Sequence, residues 1–394
     1  MPMGRDDRAV AVLAGRGWFG DDRVALFESP DCILRFQGGR ALLSSGGRVV
    51  ASGDPLRLIE ARLNEGCTGV GFFGYEFFHH LQEDFNARQK PPDGFPDACF
   101  AFFSSFDTIS LEELEAPSGA NGVPVESNVK PEEFMAMVDA VRRYISAGDV
   151  YQVNISQMFT FPFRWTCGGF LRRFYSAQPV PYACCLDFGD FSVISGSMEL
   201  FLRRTGRTLT TGPIKGTRQR ASDPDEDRQI REELRQNEKE RAENVMIVDL
   251  MRNDLGRVCE FGSVRVGRLF EVETYSTLHQ MVSEVSGRLR PGVSLGDIIR
   301  ASFPPGSVTG APKRRALEII EELEPHRRGP YCGAVGLLLP GGDFVLSVGI
   351  RTVGVRGSSG YYWAGGGITW GSVPEMEYGE TLVKARAVLR AIGG

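Results

Sequence analysis

The segment Gly212-Pro213-Ile214-Lys215-Gly216-Thr217 sets a lysine in a turn with glycine close on either side. Glycine lets the chain bend sharply and lets a small molecule approach the backbone. A lysine withdrawn from water in such a turn has a depressed pKa, and its neutral amine is a nucleophile. An ordinary solvated turn lysine would use the same residues, so other groups must decide. Lys239-Glu240-Arg241-Ala242-Glu243-Asn244 puts Glu240 and Glu243 on one helical face. Gly306-Ser307-Val308-Thr309-Gly310-Ala311-Pro312-Lys313 reads as a helix start. Thr309 would be its N-cap, Pro312 would lie in the first turn, and the amides of Gly310 and Ala311 beside Lys313 would seat an anion. Ala364-Gly365-Gly366-Gly367-Ile368-Thr369 bares backbone amides and precedes an acidic helix with Glu375, Glu377 and Glu380.

Each feature has a plain alternative. Glu240 and Glu243 fit a solvated acidic face, and Glu380 fits an ordinary helix ion pair with Lys384. The glycines fit a bulge or close packing. Taken together they suit a narrower chemistry. Carboxylates from two helices suit a hard, oxygen-ligated cation such as Mg²⁺, which usually lies between protein carboxylates and an anionic substrate. Backbone amides, Lys313 and Arg351 suit a substrate with more than one carboxylate.

The elements that must position these residues are legible in outline. Residues 1–115 mix short apolar runs with glycine, as in Gly69-Val70-Gly71-Phe72-Phe73-Gly74-Tyr75. Residues 116–130 read as a linker, and residues 131–394 as the catalytic region. Lys130-Pro131-Glu132-Glu133-Phe134 opens a helix that runs to Ala147 and stops at Gly148. Strands are predicted at 101–111, 150–160, 183–194, 208–211, 263–266, 280–290, 334–339, 344–352 and 361–368. Helices are predicted at 223–253, 295–301, 312–323 and 374–392. Hairpin-like strands between helices predict an α+β layered sandwich with large, mainly antiparallel sheets and outer helices, to which residues 1–115 contribute.

Composition narrows the classes. The 394 residues are 42% hydrophobic with a formal net charge of −5, and no basic stripe points to nucleic acid. No apolar run approaches the ~20 residues that span a bilayer. The polar start, Met1 to Arg8, is not followed by a signal-type segment. The eight cysteines form no Cys-x-x-Cys pair, so reduced thiols in a cytoplasmic protein are expected. The four histidines make no metal-binding pattern.

Over roughly residues 130–394 the ordered motifs resemble the chorismate-binding enzymes. The likeness rests on Gly148–Asn154, Pro213–Thr217, Glu243-Asn244 with Asp249–Leu255, His279, Gly306–Pro312, Tyr331–Gly336, Ile350-Arg351 and Gly365–Glu380. Within that family the chain is most similar to the branch of aminodeoxychorismate synthase component I, through Pro-Ile-Lys-Gly-Thr and Tyr151-Gln152-Val153-Asn154. Anthranilate synthase component I, the alternative, typically has alanine in place of Lys215. Isochorismate and salicylate synthases need a lysine where Gln152 stands. A non-catalytic chorismate-binding homologue is a third possibility, against which Lys215 and the intact carboxylates speak.

The resemblance implies Mg²⁺-dependent amination of chorismate at C4, giving 4-amino-4-deoxychorismate for 4-aminobenzoate and folate biosynthesis. It implies Lys215 as nucleophile and Glu199 as general acid, with His279 near the reacting edge or purely structural. Gly216, Thr217, Tyr331, Arg351, Gly365, Gly366 and Gly367 would hold substrate. Glu243 and Glu380 would hold Mg²⁺, with Glu240 and Glu377 behind them. Ammonia would come from solution or a separate glutaminase subunit. Leu26–Pro30 resembles the edge of a tryptophan pocket. One departure is Ser197-Met198-Glu199, where the family often has Ser-Pro-Glu.

Overall fold

The computed structural model describes residues 9–391 apart from 83, 86–89, 91–93, 117–122 and 276–277. Two antiparallel sheets, one ten-stranded and one twelve-stranded among the described residues, form the layers. They face each other through aromatic packing, as where Phe72 of one sheet meets Phe191 of the other at 6.0 Å and Phe188, in the turn before it, at 6.4 Å. A shared apolar core runs between them. Strands from residues 10–109 enter both sheets, so the N-terminal part is woven into the sandwich. Residues 117–122 of the expected linker lie outside the described residues, and Glu126–Ser127 adds a short strand beside Gln152–Pro162.

Local chemistry explains the pieces that carry the site. Helix Pro131–Ser146 begins with proline, and the Glu133 carboxylate accepts the Lys130 N–H at 2.7 Å. Phe134, Met137, Val138 and Val141 recur with helical spacing and are buried. This apolar stripe faces the last helix, Pro374–Ala391, with the Phe134 and Tyr378 rings 5.8 Å apart. The helix bearing Glu377 and Glu380 is thereby fixed from behind.

Several expectations need correction. The predicted helix over 223–253 is two, Pro224–Gln236 and Glu238–Gly256. Asn237 interrupts it because its side chain accepts the Glu240 N–H at 3.0 Å and so caps the second helix. The predicted strand 183–194 is a hairpin, Tyr182–Asp187 and Phe191–Ser197, with Gly189 at φ 82° between them. The strand expected at 101–111 is likewise two, Ala98–Phe103 and Asp107–Ile109. The strand 344–352 breaks at Arg351, whose φ is 52°.

Thr309 is not an N-cap. The next helix starts at Lys313, Thr309 donates to the Pro305 carbonyl at 2.8 Å, and Gly310–Ala311 pairs with Gln152 and Val153. Lys313 does not seat an anion either, since its ammonium donates to Asp254 and to the Ser302 carbonyl, both at 2.6 Å. Cys167 and Cys185 are joined in a disulfide, an exception to the expected reduced thiols, while the other six cysteines are free. The expectation rested on scattered spacing, which does not reveal that a helix and a strand bring these two side by side. No helix among the described residues is long and apolar enough to cross a membrane.

Candidate active site

Lys215 lies on the edge strand Ile214–Gln219, at an irregularity in its pairing with Leu278–Arg288. Gly216 makes that bulge with φ at 84°, a conformation costly for other residues. A Cβ there would also overlap the Glu240 carboxylate. The glycine therefore lets the helix Glu238–Gly256 press against the lysine strand. Gly216→Ala should destabilise the fold by at least ~1 kcal/mol in urea unfolding, since alanine fits neither the dihedral nor the space. Unchanged stability would mean that the contact with Glu240 is slack.

The Lys215 amine reaches the glycine row of the strand Ser359–Ile368. It lies 3.4 Å from where a Cβ on Gly367 would stand, and the Gln152 amide nitrogen lies 2.6 Å from the same point. One residue earlier, a Cβ on Gly366 would stand 3.2 Å from Glu377 Oε2 and 3.8 Å from Lys384 Nζ. Successive strand residues face opposite sides. The bare glycines thus let Lys215 approach from one side and the last helix from the other. Gly365 is also tightly placed, since a Cβ there would lie 2.5 Å from the Ile155 carbonyl oxygen.

Burial pushes the Lys215 ammonium pKa down, while Glu243 and Glu199 act against that shift. Glu199 is buried, and burial raises its carboxyl to about 7 against the opposing influence of the Ser307 hydroxyl, Lys215 and the Ile214 N–H. An amine made more nucleophilic by burial therefore lies beside an acid poised near neutrality. Met198 is buried, with its sulfur against the Gln280 side-chain amide.

Glu243 on the helix Glu238–Gly256 and Glu380 on the last helix both act on the Lys215 charge. Burial raises the Glu243 pKa, Lys215 and Lys239 lower it, and Glu240 and Glu377 raise it further. Lys384, 2.6 Å away, holds Glu380 low. Arg218 pairs with Glu240 at 2.7 Å, and the Ser372 hydroxyl donates to Glu377 at 2.6 Å. The site thus gathers hard oxygen donors of the kind Mg²⁺ takes. No three metal-ligating side chains already converge among the described residues.

Other expected binders have partners of their own. Thr217 is exposed beside Lys215, and its carbonyl accepts from Arg218 at 3.0 Å. Arg351 donates to the Lys384 carbonyl at 2.5 Å and so ties the last helix to the sheet. Tyr331 is buried with its ring parallel to Trp363, 6.3 Å between centroids. His279 is buried, with Nε2 2.9 Å from Asp227 Oδ1 and Nδ1 2.9 Å from Thr274 Oγ1. Arg220 and His279 hold Asp227 down at about 2. Both imidazole nitrogens thus serve a network behind the lysine strand.

Among the buried amides, Gln152, Asn154 and Asn244 belong to motifs singled out in the sequence, and Gln280 is the one that sequence reasoning missed. Both polar atoms of Gln152 lack a hydrogen-bond partner, as do Asn154 Nδ2, Asn244 Nδ2 and Gln280 Oε1. A buried amide without a partner is costly, so these groups await a polar ligand or water. Gln280 carried one signal in the sequence, as a polar residue within a predicted strand. Lys384 was legible only as the helix partner of Glu380. Its ammonium also donates to the Gly365 carbonyl at 2.8 Å, which places it in the site.

Comparison with known proteins shows the family. The chorismate binding enzyme profile matches residues 21–390. The chain belongs to that family. Aminodeoxychorismate synthase component 1 of Bacillus subtilis is 43% identical over 426 aligned positions, covering 95% of this chain and 88% of that protein. Anthranilate synthase component 1 of Aquifex aeolicus is 44% identical over 266 positions, covering 68% of this chain and 54% of that protein. The crystal structure of anthranilate synthase component I from Streptococcus pneumoniae superposes with a TM-score of 0.80 at 30% identity, covering 93% of this chain and 92% of that one. The fold expected of a chorismate-binding enzyme is the one observed.

Proposed function

We propose that this enzyme aminates chorismate at C4 with ammonia, giving 4-amino-4-deoxychorismate. The observation that carries the reading is the Lys215 amine, made more nucleophilic by burial and set between Glu199 and the bare glycine row. Lys215 attacks ring carbon C2, both ring double bonds shift by one position, and the C4 hydroxyl leaves as water with a proton from Glu199. Ammonia then bonds to C4, both double bonds shift back, and the Lys215 amine departs. Two displacements through one adduct replace a hydroxyl at the same carbon. The unpartnered Gln152 side-chain amide, beside the Lys215 amine at Gly367, would offer the substrate a donor from Nε2 and an acceptor at Oε1. Mg²⁺, held by Glu243 and Glu380, would supply charge stabilisation at the ring carboxylate. Ammonia would be delivered by a separate glutaminase subunit or taken from solution.

A second reading, amination at C2 with loss of pyruvate to give anthranilate, is favoured by relatives carrying the anthranilate synthase name. Lysine at C2 would block it. Product analysis separates the two. The chain is incubated with chorismate, Mg²⁺ and ammonium, and the products are resolved by chromatography with mass detection. A pyruvyl-retaining amino product supports C4 amination, and anthranilate with free pyruvate overturns it. Replacing Glu243 or Glu380 by glutamine should lower activity by about 10²-fold and shift the Mg²⁺ dependence to higher concentration. An unaltered Mg²⁺ titration would remove that residue from the cation site.

A further inference from the structure

Each carboxylate of the candidate cation site has a partner from the chain itself. Glu240 has Arg218 at 2.7 Å, Glu243 has Lys239 at 3.9 Å, Glu377 has the Ser372 hydroxyl at 2.6 Å, and Glu380 has Lys384 at 2.6 Å. Lys384 differs from an ordinary helix ion pair. Its ammonium bridges Glu380 to the Gly365 carbonyl, 2.8 Å away in the glycine row. Its own carbonyl accepts from Arg351 at 2.5 Å and from the Tyr362 hydroxyl at 3.1 Å. The backbone is pinned, and movement is left to the side chain.

We propose that Lys384 is the resident counter-ion of Glu380, and that a divalent cation enters by displacing its ammonium. This rests on the reading of Glu243 and Glu380 as cation ligands. Two cations on one carboxylate repel strongly in a partly buried site. The lysine stem is long and rotatable, so its charge can withdraw while the helix stays in place. A cation arriving alone therefore competes with a built-in one. The released ammonium needs a new anion, and a substrate carboxylate can be that anion. Cation and substrate then favour each other's binding, by the same factor in both directions.

The test is direct binding of Mn²⁺ to the intact chain without substrate, read from the loss of the free-ion paramagnetic resonance signal. Lys384→Met keeps the stem and removes the charge, and should tighten Mn²⁺ binding about tenfold. Unchanged or weaker binding would overturn the counter-ion role. Glu243→Gln is the companion variant. If it weakens Mn²⁺ binding while Lys384→Met has no effect, the counter-ion role alone is lost. If Mn²⁺ binding ignores Glu243→Gln, the cation-site reading is lost with it. A second measurement uses the unaltered chain. Brief acylation by acetic anhydride, quantified by mass spectrometry, should label Lys384 several-fold more with saturating Mn²⁺ than without. Equal labelling would mean that the ammonium stays in place, against the proposal.

Discussion

Lys215→Ala should lower formation of the 4-amino product by about 10³-fold or more, while the fold survives. The side chain lies on an edge strand beside the glycine row, so its truncation removes no large apolar contact. What goes is the amine that occupies C2 during the exchange. With C2 open, ammonia can attack there, and the remaining product should shift towards anthranilate. Lys215→Met separates charge from volume and should behave the same way. A trapped adduct strengthens the case. Rapid quench of the unaltered enzyme without ammonia should leave the Lys215 peptide heavier by the substrate less one water. Retention of full 4-amino product by the alanine variant would exclude the nucleophile role, whatever the adduct experiment gave.

How far the site was readable before the structure depended on whether each signal was local. The lysine turn is local, because glycine at 216 is required by φ and by the carboxylate behind it. The glutamates are local too, as helical spacing puts Glu240 with Glu243 and Glu377 with Glu380. Helix Pro131–Ser146 was legible from proline, acids and an apolar stripe. What failed depended on distant partners. Thr309 has the chemistry of a cap, yet pairing of Gly310–Ala311 with Gln152 and Val153 claims that backbone first. Lys313 appeared free to bind an anion because Asp254, its buried partner, is far away in sequence. His279 reads either as a residue near the reacting edge or as a structural one, and Asp227 and Thr274 lie against its two nitrogens. Asn237 is the counter-example of a local signal overlooked, a capping residue inside what reads as one charged helix.

Glu199→Gln should do two opposite things, and their combination tests the acid role. Activity should fall by about 10²- to 10⁴-fold, because glutamine cannot protonate the departing hydroxyl. Stability above neutral pH should rise. Burial lifts the folded-state carboxyl from the ordinary 4.5 to about 7. Between those values the folded protein holds a proton that the unfolded chain has released. The stability associated with that proton is fully present below pH ~4.5 and lost as pH rises through ~7. Above pH 7 the native enzyme therefore bears an ionised buried carboxylate, a penalty of order 3 kcal/mol for a shift of this size. Glutamine never ionises, so the variant should unfold a few degrees higher at pH 8 and gain little at pH 4. The same residue would then be destabilising and necessary, as at sites where burial is maintained for chemistry. Equal stabilisation at both pH values would mean that packing, not protonation, separates the two side chains. Activity retained by the variant would exclude Glu199 as the proton donor.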